Sequence, residues 1–457
     1  MIPLRARSPV TATLGGGLDD GAIRERAVGS LAVDLALVSV VAVAFGLIRL
    51  GTPSLWVDES FTAQAVRGHL LNPEDQYHWL YYAAITPWTL VAGTSELALR
   101  LPSVVASAVA CALLVVLARP VLGRRVALVG GLFLATSPFV VQWSQQARSY
   151  TFVLAAGVLA TLLLLRALAA GSRAAWTWYG LGLTLVFVLQ PVSAIVLVPA
   201  HLVLGVRERK AALPHGLMAV CLVIVLGIPW AFFRARQTPA ENWLARPSPE
   251  DAARTLLDIS GAFGVGLALA LIGLVMLRRQ GRGGDALWLG TWAFAPFALA
   301  LAASLIRPVF LDRYLITAAP AFALLAAAAL FAVSRRVAAV LVTVAVAATI
   351  AGLAHWYSYG ANNWRGEGWR SAVATVERQA GPGEAIVVVP WWAAPAATYY
   401  GAHVAGTSTA DSIWILRWSE DGGGIARSER RPLGFGDHRL VERQDFGWRV
   451  SVQHWRR

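Results

Sequence analysis

Two adjacent carboxylates, Asp58 and Glu59, stand in the stretch SLWVDES (54–60), a few residues after a long apolar run. Carboxylates beside a bilayer are costly unless water, a cation or a reacting group meets them. Other polar residues also gather near the ends of apolar runs. They are His78 with Tyr81 and Tyr82; Gln145, Gln146, Arg148 and Tyr150; and Arg307, Asp312, Arg313 and Tyr314. Asp75 precedes the first group, and the stretch 233–258 adds Arg234, Arg236, Glu241, Trp243, Arg246 and Arg254. Acids and arginines at headgroup level suit one chemistry in particular. A guanidinium grips a phosphate bidentately, stays charged, and stabilises the charge that grows as the phosphate–sugar bond breaks. A carboxylate across the reacting carbon takes the proton of an attacking hydroxyl. The combination predicts glycosyl transfer from a polyprenyl-phosphate sugar, with inversion.

In that chemistry Asp58 and Glu59 are the candidate catalytic acids, and Arg148, Arg313 and Arg307 the donor-phosphate ligands. His78, Tyr81, Tyr82, Gln145, Gln146, Tyr150, Asp312 and Tyr314 are the candidate substrate contacts. Trp56, Trp79 and Trp143 would line the sugar or the lipid tail, or form an interfacial aromatic belt. Local roles stay open beside these. The acid pair could favour the N-terminus of the helix FTAQAVRGHLL. His78 could be structural, Arg148 a snorkelling side chain at a span end, and Arg313 the local partner of Asp312.

These groups meet only if the apolar runs bring them to one side of a membrane. The 457 residues are 57% hydrophobic and 14% charged, against about 25% charged in soluble domains. Apolar runs recur at about 29–49, 101–121, 126–143, 151–170, 175–190, 192–206, 212–232, 259–277, 285–305, 314–333 and 337–354. A span needs about 20 residues, so the pattern predicts a multi-pass cell-membrane protein with about 11 transmembrane helices. With the N-terminus in the cytoplasm, alternation puts Arg124–Arg125, Arg173, Arg207/Arg209/Lys210, Arg278/Arg279/Arg282 and Arg335–Arg336 on the cytoplasmic side, as the positive-inside rule requires. That assignment needs 79–100, which contains Pro87, Gly93 and Glu96, to lie at the outer interface without crossing. It also needs Gln190–Pro191 to turn a hairpin. The candidate site residues then share the outer face.

Beyond residue 354 the composition changes. The stretches 384–390, 413–418, 438–443 and 448–455 read as strands, and 371–379 as a helix stopped by Gly-Pro-Gly. The expected organisation is a cytoplasmic tail (1–28), a transmembrane catalytic domain (29–354) and an extracytoplasmic α/β domain (355–457). The glycine triplets at 15–17 and 422–424 read as tail and loop. Cys111 and Cys221 sit within apolar runs as small packing residues and form no metal or disulfide pattern. The net charge of +13 follows from the loop arginines, and no basic–aromatic motif points to nucleic acid.

Several blocks, in this order, resemble the GT-C membrane glycosyltransferases of the protein O-mannosyltransferase clan, in particular bacterial family 39-like mannosyltransferases. They are LWVDES, DQYHWLYY (75–82), SELALRLPS (95–103), GRRVALVGGLFLATSPFVVQWSQQARSY (123–150), RPVFLDRYLITAAPAFALL (307–325) and NWRGEGWRSAVATVERQAGPGEAIVVV (363–389). The resemblance implies an all-α polytopic membrane fold with juxtamembrane helices in the first outer loop, plus a small C-terminal α/β domain. It also implies that Asp58 is the loop-one aspartate, Arg148 and Tyr150 the donor-phosphate pair, and Arg313 the arginine opening the late span. The chain departs from its relatives in three places: His78–Trp79 replaces His-Pro-Pro, Asn363–Trp364–Arg365 replaces Asp-Trp-Arg, and no histidine stands near Gln190. Some relatives hold a divalent cation. Here the outer loops show no compact ligand spacing, so no essential cofactor is expected. The expected partners are a polyprenyl-phosphate-linked sugar (mannose first, arabinofuranose behind it), membrane lipids, and an acceptor glycan, protein, lipid or peptide. A transporter or lipid flippase, or a non-catalytic assembly partner, would be the alternatives.

Overall fold

A computed structural model describes residues 20–68, 78–207, 216, 220, 222–227, 244–358, 363, 365–405, 410–419 and 438–457. The helices, in chain order, are α1 (Asp20–Leu47), α2 (Val57–Val66), α3 (Trp79–Ala92), α4 (Glu96–Leu122), α5 (Arg124–Thr136), α6 (Pro138–Ser144), α7 (Tyr150–Ala170), α8 (Arg173–Leu189) and α9 (Pro191–Arg207). They continue with α10 (Pro249–Ser260), α11 (Val265–Arg279), α12 (Gly283–Ile306), α13 (Ala319–Ala332), α14 (Arg335–Tyr357), α15 (Trp369–Gln379) and α16 (Ala394–Tyr399).

Helices stand at every expected run except 212–232, most of which lies outside the described residues. Among the described residues, 7 helices are long and apolar enough to cross a membrane, or 8 if the bent pair α5–α6 is one span. This is a multi-pass membrane protein. The α5–α6 pair bends by 59° where Pro138 follows Ser137, because proline has no N–H to continue the ladder. Helix α13 reads APAFALLAAAALFA and is apolar all round, and it forms the centre of the bundle: the segment Asp312–Ala332 is 89% buried. Gly273 of α11 lets that helix lie directly on α13, since a Cβ there would come within 2.1 Å of the Leu325 carbonyl oxygen.

The turn at Gln190–Pro191 is a hairpin. Gln190 is extended (φ −160°), and Tyr179 of α8 meets His201 of α9 at 3.0 Å (OH to Nδ1). Each stands about ten residues from the turn, so the two helices run back alongside each other.

The stretch 79–100 divides differently from the expectation. Gly93, with φ +77°, ends α3, and Ser95 caps α4 by accepting the Ala98 N–H at 3.3 Å. Residues 96–100 therefore open the next long helix and are not interfacial. Helix α3 alone has 14 residues, about 21 Å of helix, which is short of a hydrocarbon core of about 30 Å.

After α14 the chain forms a four-stranded sheet ordered β1 (Ala385–Val389), β2 (Ser412–Trp418), β4 (Val450–Arg456), β3 (Arg439–Asp445). The β1–β2 pair is parallel, crossing over through α16, and the other pairs are antiparallel. Helix α15 covers one face with Trp369, Ala372, Val373 and Val376 against Val388, Trp414, Leu416, Val450 and Val452. Val57 and Phe61 of α2 belong to that same buried cluster. The helix after SLWV is thus packed into the C-terminal unit as well as onto the bundle.

Candidate active site

Residues 54–63 are buried with one exception, Asp58, which keeps part of its surface exposed. Successive residues of a helix point about 100° apart, so Asp58 and Glu59 at the start of α2 face different surroundings. Glu59 is fully buried and joined to Arg100 by two parallel contacts, Nε to Oε1 and Nη2 to Oε2, each 2.7 Å. It also accepts the N–H of Ala147 at 2.8 Å and of Trp56 at 3.3 Å. Arg100 gives its remaining hydrogens to the carbonyls of Leu50 (2.9 Å), Pro53 (2.9 Å) and Ser54 (3.1 Å). All five guanidinium donors are used. Glu59 is therefore the pin that fastens α2, the loop before it, α4 and the 145–148 segment together. Its expected catalytic place is corrected, because a carboxylate closed on both oxygens has none left for substrate. Arg100 went unnoticed in the sequence, although it stands within the SELALRLPS block.

Arg148 is brought to Asp58 by this pinned segment. Its Nη1 donates to the Asp58 carbonyl at 2.9 Å and to the Tyr82 hydroxyl at 3.1 Å. Ser149 meets His78 Nδ1 at 2.9 Å, and His78 lies edge-on to Tyr150 at 6.0 Å. Tyr150 in turn stands edge-on to Trp143 at 4.8 Å. Arg313 enters from the 3-10 helix Asp312–Ala318 that leads into α13. It is buried, with its guanidinium carbon 5.8 Å from the Tyr150 ring, 5.9 Å from Trp143 and 5.8 Å from Tyr314. Its Nη1 stands 3.8 Å from Asp312, and the charge of Asp58 reaches it. Ser193 donates to the Tyr314 carbonyl at 2.6 Å and holds the turn against the start of α9.

Asp58, His78, Tyr82, Arg148, Tyr150, Arg313, Asp312 and Tyr314 are thus one cluster at one end of the bundle. Gln146 joins them, buried, its Oε1 without a hydrogen-bond partner among the described residues. The other three expected members are placed differently. Gln145 donates to the carbonyls of Gly46 (2.9 Å) and Ile48 (2.7 Å) and accepts from Trp356 (2.6 Å), which ties α1 to α14. Tyr81 is fully buried behind the cluster, its ring 5.8 Å from Tyr82 and 5.2 Å edge-on to Phe152. Arg307 is exposed at the end of α12. Arg246 and Arg254 are exposed as well, the latter paired with Glu250 at 2.8 Å. Asp75, Arg234, Arg236, Glu241 and Trp243 lie outside the described residues.

Two contributions were missed in the sequence. Helix α10 brings Asp258 near Asp312, and burial, then the like charge of Asp312, pushes its carboxyl above the usual range. The C-terminal unit brings Arg365, whose guanidinium carbon lies 4.4 Å from the Trp56 ring centre. Among the described residues, no three His, Cys, Asp or Glu side chains gather in a way that could hold a metal ion. A small apolar crevice of about 40 Å³ runs between α5, α10, α11, α13 and α14, lined by Phe133, Pro138, Ile259, Val265, Leu269 and Ala323 among others.

The whole chain has counterparts of known structure. It covers 94% of its length on 98% of ArnT from Cupriavidus metallidurans in the apo state, with TM-score 0.61 and 16% identity. The same protein bound to undecaprenyl phosphate matches at TM-score 0.61 and 16% identity, over 92% of this chain and 97% of that one. Both are GT-C glycosyltransferases. The chain has the GT-C fold. A further GT-C structure, the oligosaccharyltransferase AglB from Archaeoglobus fulgidus with an inhibitory peptide and a dolichol-phosphate, matches at TM-score 0.51 and 13% identity. It covers 84% of this chain and 69% of its own. Residues 79–233, from α3 through the stretch after α9, match the dolichyl-phosphate-mannose-protein mannosyltransferase family. No curated protein matches the sequence. The likeness read from the sequence is therefore borne out at the level of the fold; of its blocks, QQARSY lies within the family match, while LWVDES and RYL lie outside it.

Proposed function

We propose that this protein is a membrane glycosyltransferase that moves a monosaccharide, mannose in the first instance, from a polyprenyl-phosphate donor to an acceptor hydroxyl with inversion. One observation carries the reading. Asp58 is the one residue of 54–63 that is not buried, Arg148 donates to its carbonyl, and the buried Arg313 belongs to the same cluster. A base and two fixed cations are the parts a single displacement needs.

The acceptor oxygen attacks the anomeric carbon from the face opposite the phosphate. The sugar–phosphate C–O bond breaks, its electron pair stays on the phosphate, and the acceptor proton passes to Asp58. Arg148 and Arg313 bind the polyprenyl phosphate and stabilise its added charge in a site largely closed to water. Aromatic rings around Arg313 hold its guanidinium in place before substrate arrives, which lowers the reorganisation required at the moment of reaction. The undecaprenyl phosphate bound by ArnT, which has the same fold, supports this class of donor.

The arginine-rich far end of the bundle, with Arg124, Arg207 and Arg282, supports a cytoplasmic position for that end. The cluster and the C-terminal unit then face the opposite compartment. Membranes containing the protein, incubated with labelled polyprenyl-phosphate mannose, should pass label to an acceptor, and Asp58→Ala membranes should not. Competition by polyprenyl-phosphate arabinofuranose tests the sugar. A wild-type rate in Asp58→Asn removes the mechanism.

A further inference from the structure

The segment 363–370, at the start of the C-terminal unit, folds back onto the loop that carries Asp58. Glu367 is buried and accepts three N–H groups, from Val57 (2.9 Å), Trp369 (2.9 Å) and Trp418 (3.0 Å). Arg370 donates to the Thr52 carbonyl at 3.0 Å, and Tyr400 accepts the Leu55 N–H at 2.8 Å. Within this clamp the Asn363 side chain accepts the N–H groups of Arg365 (3.0 Å) and Glu367 (3.1 Å), which shapes a tight turn. Gly366 at its apex has φ +70°, and a Cβ there would lie 2.1 Å from Trp448, so the turn admits only glycine.

The turn fixes the direction of Arg365. Its guanidinium lies over Trp56, two residues before Asp58, and is only partly exposed. Burial pushes it down to about 10, and Arg313 is the next cause, opposed by Asp58. It stays charged at neutral pH, within electrostatic reach of both. Three cations, drawn from α7's leading segment, from the turn before α13 and from the C-terminal unit, are thus collected where Asp58 and Asp312 supply two carboxylates. Collecting them has a Coulombic cost that a bound anion removes.

We infer that Arg365 is a further ligand of the donor phosphate, so that the C-terminal unit completes the anion site formed by Arg148 and Arg313. This rests on the donor class proposed above. The planar fork, seated over an indole, suits two-point contact with a phosphate. It is a binding residue for the leaving group, while Glu367 and Asn363 position it.

The test is direct binding of undecaprenyl phosphate, undecaprenol and inorganic phosphate to the purified full-length protein in lipid nanodiscs. The proteins compared are wild type, Arg365→Gln, Arg365→Lys and, on the distant strand β3, Arg443→Gln. Wild type should prefer undecaprenyl phosphate to undecaprenol. Arg365→Gln should weaken the phosphorylated lipid about 10- to 100-fold, the scale of a charge-assisted hydrogen bond, and leave undecaprenol unchanged. Arg365→Lys should fall between the two, and Arg443→Gln should match wild type. Equal affinity of Arg365→Gln and wild type for the phosphorylated lipid overturns the inference alone, as does equal loss of both lipids. If Arg365→Gln does not fold, Arg365→Lys decides: undiminished affinity for undecaprenyl phosphate overturns the role. A wild type that does not distinguish the phosphorylated lipid from the alcohol, or that binds inorganic phosphate as tightly, overturns both the inference and the donor class.

Discussion

Both ends of the helix bundle carry an aspartate among arginines, and the two are built differently. Asp34, in α1, is buried with both oxygens occupied: Arg124 reaches them at 2.9 Å through Nε and Nη2, and Arg119 approaches at 3.2 Å. Asp58, at the opposite end, keeps exposed surface, and Arg148 meets its backbone carbonyl. Arg313 and Arg365 act on it through space. The first arrangement is closed and holds α1 against α4 and α5. The second leaves a carboxylate partly open, while its cohesion is supplied by a separate closed pair, Glu59–Arg100. A carboxylate can hold the fold together or stay open to a partner, and here adjacent residues differ in this: Glu59 is closed, and Asp58 is open as its proposed role requires.

The largest effect should come from blunting the open end. Asp58→Asn should lower sugar transfer about 100- to 10,000-fold, with yield and thermal midpoint unchanged, read from product formation per mole of folded protein. Next, Glu59→Gln leaves Arg100 buried without its counter-charge. It should destabilise the protein by roughly 3–5 kcal/mol, seen as a lowered thermal midpoint before any kinetic effect is considered. Asp34→Asn should lower the midpoint less, because Arg124 is half exposed and water can take over its donors. Equal losses from the two substitutions would break the distinction between the ends.

Smaller effects should sharpen it. Tyr400→Phe removes the acceptor of the Leu55 N–H and a donor to Glu96 at 3.0 Å. It should cost about 1 kcal/mol and lower turnover a few-fold, since it loosens the loop before Asp58 without touching the cluster. The smallest effect should be an acid limb in the sheet. Burial of Glu384 is outweighed by donors from Ser412, Gly381 and Trp414, which hold its carboxyl at about 2. A depressed carboxyl contributes stability that is complete above its unfolded value of about 4.5 and is lost as pH falls through about 2. Trp414 fluorescence should report that loss in wild type between those limits, and Glu384→Gln should flatten it.

Much of this was legible in the sequence because it was local. The long apolar runs, the hairpin at Gln190–Pro191 and the strands after 384 each follow from a short window of residues. So does the grouping of Asp58, Arg148 and Arg313, once alternation of the spans sorts charges by side. The errors came from direction and distance. Asp58 and Glu59 read as a pair along the chain, but the helix that starts at Val57 turns them apart; the 100° step was available and would have separated them. Gln145 and Gln146 pose the same problem. The break at Gly93 could have been taken from its glycine and the Ser95 cap, which would have put Arg100 at the head of a span beside the acids. Glu367 and Arg365 were out of reach, because their contacts with Val57 and Trp56 join residues some three hundred positions apart.

The presence of Val57 and Phe61 in the buried cluster of the C-terminal sheet sets an order of events during synthesis. The ribosome delivers SLWVDES early, yet the apolar partners of that segment, Trp414 through Val452, emerge some 350 residues later. Helix α2 acquires its full packing only after those strands have been made. A nascent polypeptide can insert its spans and still hold Asp58 in an unfinished setting until the sheet closes over α2.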